Sequence, residues 1–159
     1  MTTPDRIERE ISIAAPVETV WEVLTDPAHV GTWFGTGKPA EVALRPGGVM
    51  VLDHGEHGAY RTRIVEVDQP RALSYRWASA YPGVLADEHN STLVEFTLTP
   101  EGGGTRLRVV ESGFSRLSIP PERVADAGYE SHSEGWSGVL SKLAGYIAGA
   151  DRGALVPPA

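Results

Sequence analysis

Three side chains set in otherwise apolar patterns are placed to do acid–base work: Glu95, Glu111 and His132. Glu95 interrupts Val94-Glu95-Phe96-Thr97-Leu98, and Glu111 ends a strand-like run just before Gly113-Phe114. Either would serve as an acid or base if its carboxyl faced a cavity, where burial raises a carboxyl pKa. Alternation sets Glu95 opposite Val94 and Phe96, which favours a solvated outer position for it. His132 falls on the apolar stripe of a helix, where an imidazole can orient a ligand; the alternative is a capped or half-exposed histidine. His54 and His57, spaced H-x-x-H, could hold a metal with His89 or Glu56. That spacing, on a turn flanked by Gly55 and Gly58, is weak, and solvated turn histidines are far commoner. No metal is therefore expected. The chain has no Ser-His-Asp order, nucleophile elbow, phosphate-cradling glycine loop or dinucleotide fingerprint, so no catalytic residue is assigned and no cofactor is expected. Arg45-Pro46-Gly47-Gly48 reads as a hairpin turn, since neither a helix nor a lysine follows it.

The elements that would carry these residues follow from hydrophobic period. From Pro121 to Ile147 runs the one long stretch with a sustained helical repeat: His132, Trp136, Val139, Leu140, Leu143 and Ile147 share a face, while Ser133, Glu134, Ser137, Ser141 and Lys142 point elsewhere. Gly135, Gly138 and Gly145 each cost about 1 kcal/mol against Ala inside a helix. Propensity alone thus disfavours this helix, and close packing against it is expected. Arg6 to Ala14 alternates as a strand, with Ile7, Ile11 and Ile13 on one face and Glu8, Glu10 and Ser12 on the other. Pro16 opens a helix with the stripe Val17, Val20, Trp21 and Leu24. Asp26-Pro27 interrupts it, and a second short helix is expected over Ala28 to Phe34. Period-two strands then cover Val42–Arg45, Val49–His54, Tyr60–Val67, Ala72–Trp77, Thr92–Thr99 and Thr105–Glu111, cut by turn signals that include Pro100 to Gly104. The longest structureless stretch, Ala78 to Asn90, has the length of a functional or mobile loop. Strand, two short helices, six strands and a long helix make an α+β arrangement, a curved antiparallel sheet of about seven strands around the C-terminal helix.

With 159 residues there is material for one domain, expected over 5–149 with flexible termini at 1–4 and 150–159. The formal charge of -7, with basic residues scattered singly, argues against nucleic acid and anionic membranes as partners. Without cysteine there is no disulfide and no thiolate chemistry. No segment is apolar and long enough for a secretory signal or a membrane span, so a cytoplasmic protein is expected.

The run Ile11 to Pro27, with Trp33-Phe34, Arg45-Pro46-Gly47-Gly48, Glu66-Val67-Asp68, Pro70, Leu73 to Trp77, Gly103 to Leu107 and Gly135-Trp136 followed by Leu140 and Leu143, resembles the SRPBCC superfamily. Within it the chain is most similar to the bacterial branch related to the activator of the ninety-kilodalton heat-shock protein ATPase. The resemblance covers about Asp5 to Ile147. It implies the helix-grip fold, START-like and birch-pollen-allergen-like, with an apolar cavity between sheet and last helix, and its name suggests a chaperone cofactor of the stress response. It implies no reaction.

The positive signal is aromatic. Trp33, Phe34, Tyr60, Tyr75, Trp77, Tyr81, Phe114 and Trp136 recur at strand faces and loop mouths, and with His132 and Leu140 they are the expected lining of a ligand cavity. The leading reading is a non-enzymatic module that binds a small apolar or aromatic molecule under the last helix, gated by Ala78 to Asn90. A chaperone-cofactor-like module with a protein partner, or a homodimer, is one alternative. A cyclase- or hydrolase-like enzyme using Glu95, Glu111 or His132 is the other. Trp136→Ala is expected to lower stability by about 3 to 5 kcal/mol, the range for a buried large aromatic. A loss below about 1 kcal/mol in urea unfolding would place Trp136 at the surface and overturn the helix register.

Overall fold

The structure is a computed structural model that describes residues 6–27, 29–30, 41–53, 59–78, 86, 90–114 and 129–151. Seven strands form one antiparallel sheet: β1 (Arg6–Ile13), β2 (Glu41–Val42), β3 (Val49–Asp53), β4 (Ala59–Asp68), β5 (Ala72–Trp77), β6 (Thr92–Glu101) and β7 (Gly104–Ser112). Their order is β1-β7-β6-β5-β4-β3-β2, so the first strand crosses to the far edge and the other six run as a meander. The helices described over their length are α1 (Val17–Thr25) and α2 (Tyr129–Asp151). This is the α+β arrangement expected from the order of periods, and the helix-grip architecture that the resemblance implied.

Alternation decides which face is buried. Across five strands one inward row reads Ile64, Tyr75, Val94, Glu111 and Ile7, each paired with the next in the ladder. All five are at most 2% exposed. The register of β4 shifts between Ile64 and Glu66 where it meets β5. A bulge of this kind bends its strand and increases the twist, and Val65 beside it is turned out to solvent.

Helix α1 buries Val17, Val20, Trp21, Val23, Leu24 and Thr25. Pro16 stands just outside it, with extended backbone, rather than as its first residue. The helix stops at Asp26, whose N–H bonds the Glu22 carbonyl at 2.8 Å. Pro27, His29 and Val30 are helical again; the remainder of the expected second helix lies outside the described residues. The His29 ring meets the Tyr146 hydroxyl, Nδ1 to O, at 2.6 Å, fastening this segment to the last two turns of α2.

Two boundaries differ from expectation. The strand expected over Val42 to Arg45 is confined to Glu41–Val42, because the Arg45 N–H folds back to the Ala43 carbonyl at 2.8 Å and starts the turn early. A Cβ on Gly48 would sit 2.0 Å from that same Ala43 oxygen, so only glycine lets the turn close. At the other hairpin Pro100 and Glu101 remain in the ladder, opposite Thr105 and Gly104, and the turn shrinks to Gly102-Gly103. Both of these glycines have positive φ, 56° and 84°.

On α2 the expected stripe is the observed one: His132, Trp136, Leu140, Leu143 and Ile147 are all buried, and Val139 packs at its margin. Residues 121–128, included in the expected helix, lie outside the described residues. The glycines lie off that stripe. Gly135, Gly138 and Gly145 are exposed, and a Cβ on any of them would meet nothing within 4 Å. They do not admit a close neighbour; they only weaken the helix. Replacing each with Ala should therefore stabilise the protein by up to about 1 kcal/mol, a rise of about 2 to 4 °C in the melting midpoint for a chain of this size. Calorimetry on the three single variants checks this, and a fall in midpoint would mean that something covers that face.

Candidate functional site

The inward row contains one charge among apolar residues. Glu111 is 0% exposed, and an isolated buried carboxylate is costly unless donors surround it. Strand β6 supplies one donor: Thr92, two residues before Val94 and on the same face, donates its hydroxyl to Oε2 at 2.5 Å. Helix α2 supplies two more. The Trp136 indole N–H donates to Oε1 at 2.8 Å, and His132, one turn earlier, places Nδ1 2.8 Å from both oxygens. Facing two acceptor oxygens, Nδ1 carries the proton and donates.

Aromatic side chains close around this cluster. Trp77 stacks on the His132 ring, centroids 4.6 Å apart and 21° between planes, while Phe114 meets the same ring edge-on at 5.4 Å. Trp136 lies edge-to-face with Phe96 at 5.7 Å and with Trp77 at 6.3 Å. Tyr60 stands edge-on to Trp77 at 6.1 Å. Tyr75 is next to Glu111's neighbour in the row and tilts against Phe96. Its phenol is pushed well above the ordinary tyrosine range, first by burial and then by the charge of Glu111.

The structure therefore brings together Tyr60, Tyr75, Trp77, Phe114, His132 and Trp136, with Leu140 buried one turn further along α2. Trp33, Phe34 and Tyr81 lie outside the described residues, as do His54, Glu56, His57 and His89. So does most of the Ala78 to Asn90 loop, of which Ala86 is buried and donates its N–H to the Arg61 carbonyl at 3.1 Å. Among the described residues no group of three or more His, Asp or Glu side chains is placed to hold a metal ion. Glu95 is exposed on the outer face, as its alternation favoured.

His132 is buried, not half-exposed, because its imidazole is drawn under the helix by Glu111. Two members of the site were missed by sequence reasoning. Thr92 begins the same period-two series as Val94, Phe96 and Leu98, so its inward direction was readable. Phe96 was placed inward but not at the site, because which inward residues lie under Trp136 depends on how α2 crosses the sheet. For Glu111 the signal was the series Thr105, Leu107, Val109, Glu111, which puts it on the buried face.

Arg9 shares the inward side of β1 with Ile7, Ile11 and Ile13. It reaches out along α2, donating to the Ser133 hydroxyl at 2.6 Å. Two surface depressions, one beside Gly102 to Thr105 and one between α1 and Leu44, share no residue with the Glu111 cluster. No helix among the described residues is long and apolar enough to cross a membrane.

Solved structures share this architecture. Protein MLL2253 from Mesorhizobium loti is 26% identical, with 88% of this chain and 94% of that one covered and a TM-score of 0.69. DynU16, from the dynemicin biosynthetic locus, is 27% identical over 91% of this chain, which spans 48% of that protein, with a TM-score of 0.69. An HSP90 activator from Plasmodium falciparum matches at 17% identity, covering 91% of this chain and 97% of its own, with a TM-score of 0.72; that likeness speaks to the fold alone. Among curated proteins no sequence match is found. The family model described as Activator of Hsp90 ATPase homolog 1-like protein matches residues 14–148, a span that runs from the turn before α1 to the last buried turn of α2 and includes every side chain of the Glu111 cluster, and the chain belongs to that family.

Proposed function

We propose that this protein is a binding module for a small apolar or aromatic molecule, held between the sheet and α2 against the cluster around Glu111. One observation carries the reading: a fully buried carboxylate, held by Thr92, His132 and Trp136, is set among Tyr60, Trp77, Phe96 and Phe114. A few convergent polar groups within aromatic walls is the composition of small-molecule sites. A core that serves packing alone gains nothing from a buried charge, since apolar residues of similar volume are often as stabilising or more so. The relative from a biosynthetic locus supports the same direction. Aromatic walls without an assigned nucleophile favour binding over catalysis.

A thermal-shift screen of flavonoids, sterols, aromatic polyketides and fatty acids tests the reading. A ligand at a hundredfold excess over its Kd stabilises the folded state by about 2.7 kcal/mol, which raises the midpoint by roughly 5 to 11 °C. The same compound should alter tryptophan emission, because Trp77 and Trp136 line the site. Leu140→Trp, one turn from Trp136 on the buried face, should abolish both responses while the protein stays folded. If no compound moves either signal, the small-molecule reading falls and the protein-partner reading replaces it, to be judged by stimulation of Hsp90 ATPase activity.

A further inference from the structure

Given the binding reading above, we propose that the site selects by charge, accepting a neutral aromatic molecule and rejecting the carboxylate of the same skeleton, because Glu111 already sets a negative charge against His132, Trp136 and Trp77. The three donors that surround Glu111 are committed to it. Thr92, Trp136 and Nδ1 of His132 all point at the Glu111 oxygens. No Lys or Arg is buried among the described residues. The cation on the inward side of β1, Arg9, directs its guanidinium to Ser133, Ser137 and the Glu8 carbonyl. An incoming carboxylate would thus lose its water and meet a like charge.

Tyr75 is an internal control for that argument. Its phenol, buried in the same row two strands from Glu111, is pushed above the ordinary tyrosine range first by burial and then by the Glu111 charge. A ligand acid entering beside it meets the same two penalties. Neutral groups escape them. Trp77 and His132, stacked with ring centroids 4.6 Å apart, make the wall a flat aromatic one.

The test uses matched pairs on the intact protein at pH 7: 2-naphthol against 2-naphthoate, and anthracene-9-methanol against anthracene-9-carboxylate, each titrated by calorimetry. The neutral member of each pair should bind at least about tenfold more tightly, since like charges a few ångströms apart in a partly buried site oppose each other by more than the 1.4 kcal/mol of one decade. The ratio should narrow in Glu111→Gln, which keeps the shape and removes the charge. Should that variant fail to fold, the wild-type ratios decide alone. A carboxylate that binds as tightly as its neutral partner overturns charge selection and leaves the binding reading standing. If neither member of either pair binds, this inference falls, and hits in the broader screen decide whether the binding reading falls with it.

Discussion

The rest of the structure depends on how the Glu111 carboxylate is satisfied. A buried carboxylate stripped of its donors is an uncompensated charge, which costs several kcal/mol. Here the donors come from two elements that the chain joins late: Thr92 from β6, and His132 with Trp136 from α2. An apolar helix face tolerates rotation and sliding, because burial is non-directional. Hydrogen bonds do not. Since His132 and Trp136 are one turn apart and both must reach the same carboxylate, α2 has one rotational setting that serves. A step of one residue, about 100° around the helix, would turn both side chains away.

That constraint explains a helix that is poor by itself. Three exposed glycines in α2 together cost about 3 kcal/mol in propensity, and among the described residues nothing fills the space beside them. The helix is made by docking: by Leu140, Leu143 and Ile147 in the core, by the Glu111 cluster near its start, by Arg9 on Ser133 along one side, and by His29 on Tyr146 near its end. The outer face of the sheet works differently. Arg108 with Glu8, and Arg106 with Glu101 and Glu10, pair in solvent, where ion pairs add little to stability.

Much of this was legible in the sequence because two periods, 2 and 3.6, carry it. Strand alternation put Ile7, Ile13, Val94 and Phe96 on the buried side and Glu95 outside, and the helical stripe from His132 to Ile147 is the buried face. Boundaries were less legible where local backbone chemistry overrides pattern, as when Arg45 turns back on Ala43 and shortens β2. The glycines of α2 were legible only as a cost that packing has to offset. Their cost is visible in sequence, but whether a neighbour or water faces them depends on the other side of the helix. The site itself was half legible. Its aromatic members other than Phe96, and His132, were found by type and face; the bond that unites them was not, because Glu111 and His132 are 21 residues apart and only the crossing of α2 over β7 joins them.

That crossing also places the proposed binding site where the helix and the sheet share fully buried polar bonds. The groups that fix α2, His132 and Trp136, are the same groups that would face a ligand, so a molecule in this site acts on the element on which the fold closes. Occupancy then stabilises docked α2 directly. Substitution of the cluster shifts stability and recognition together, and the two have to be separated by a ligand that differs in charge but not in shape. The burial of a single carboxylate therefore sets both the rotation of the closing helix and the sign of the charge the proposed site refuses.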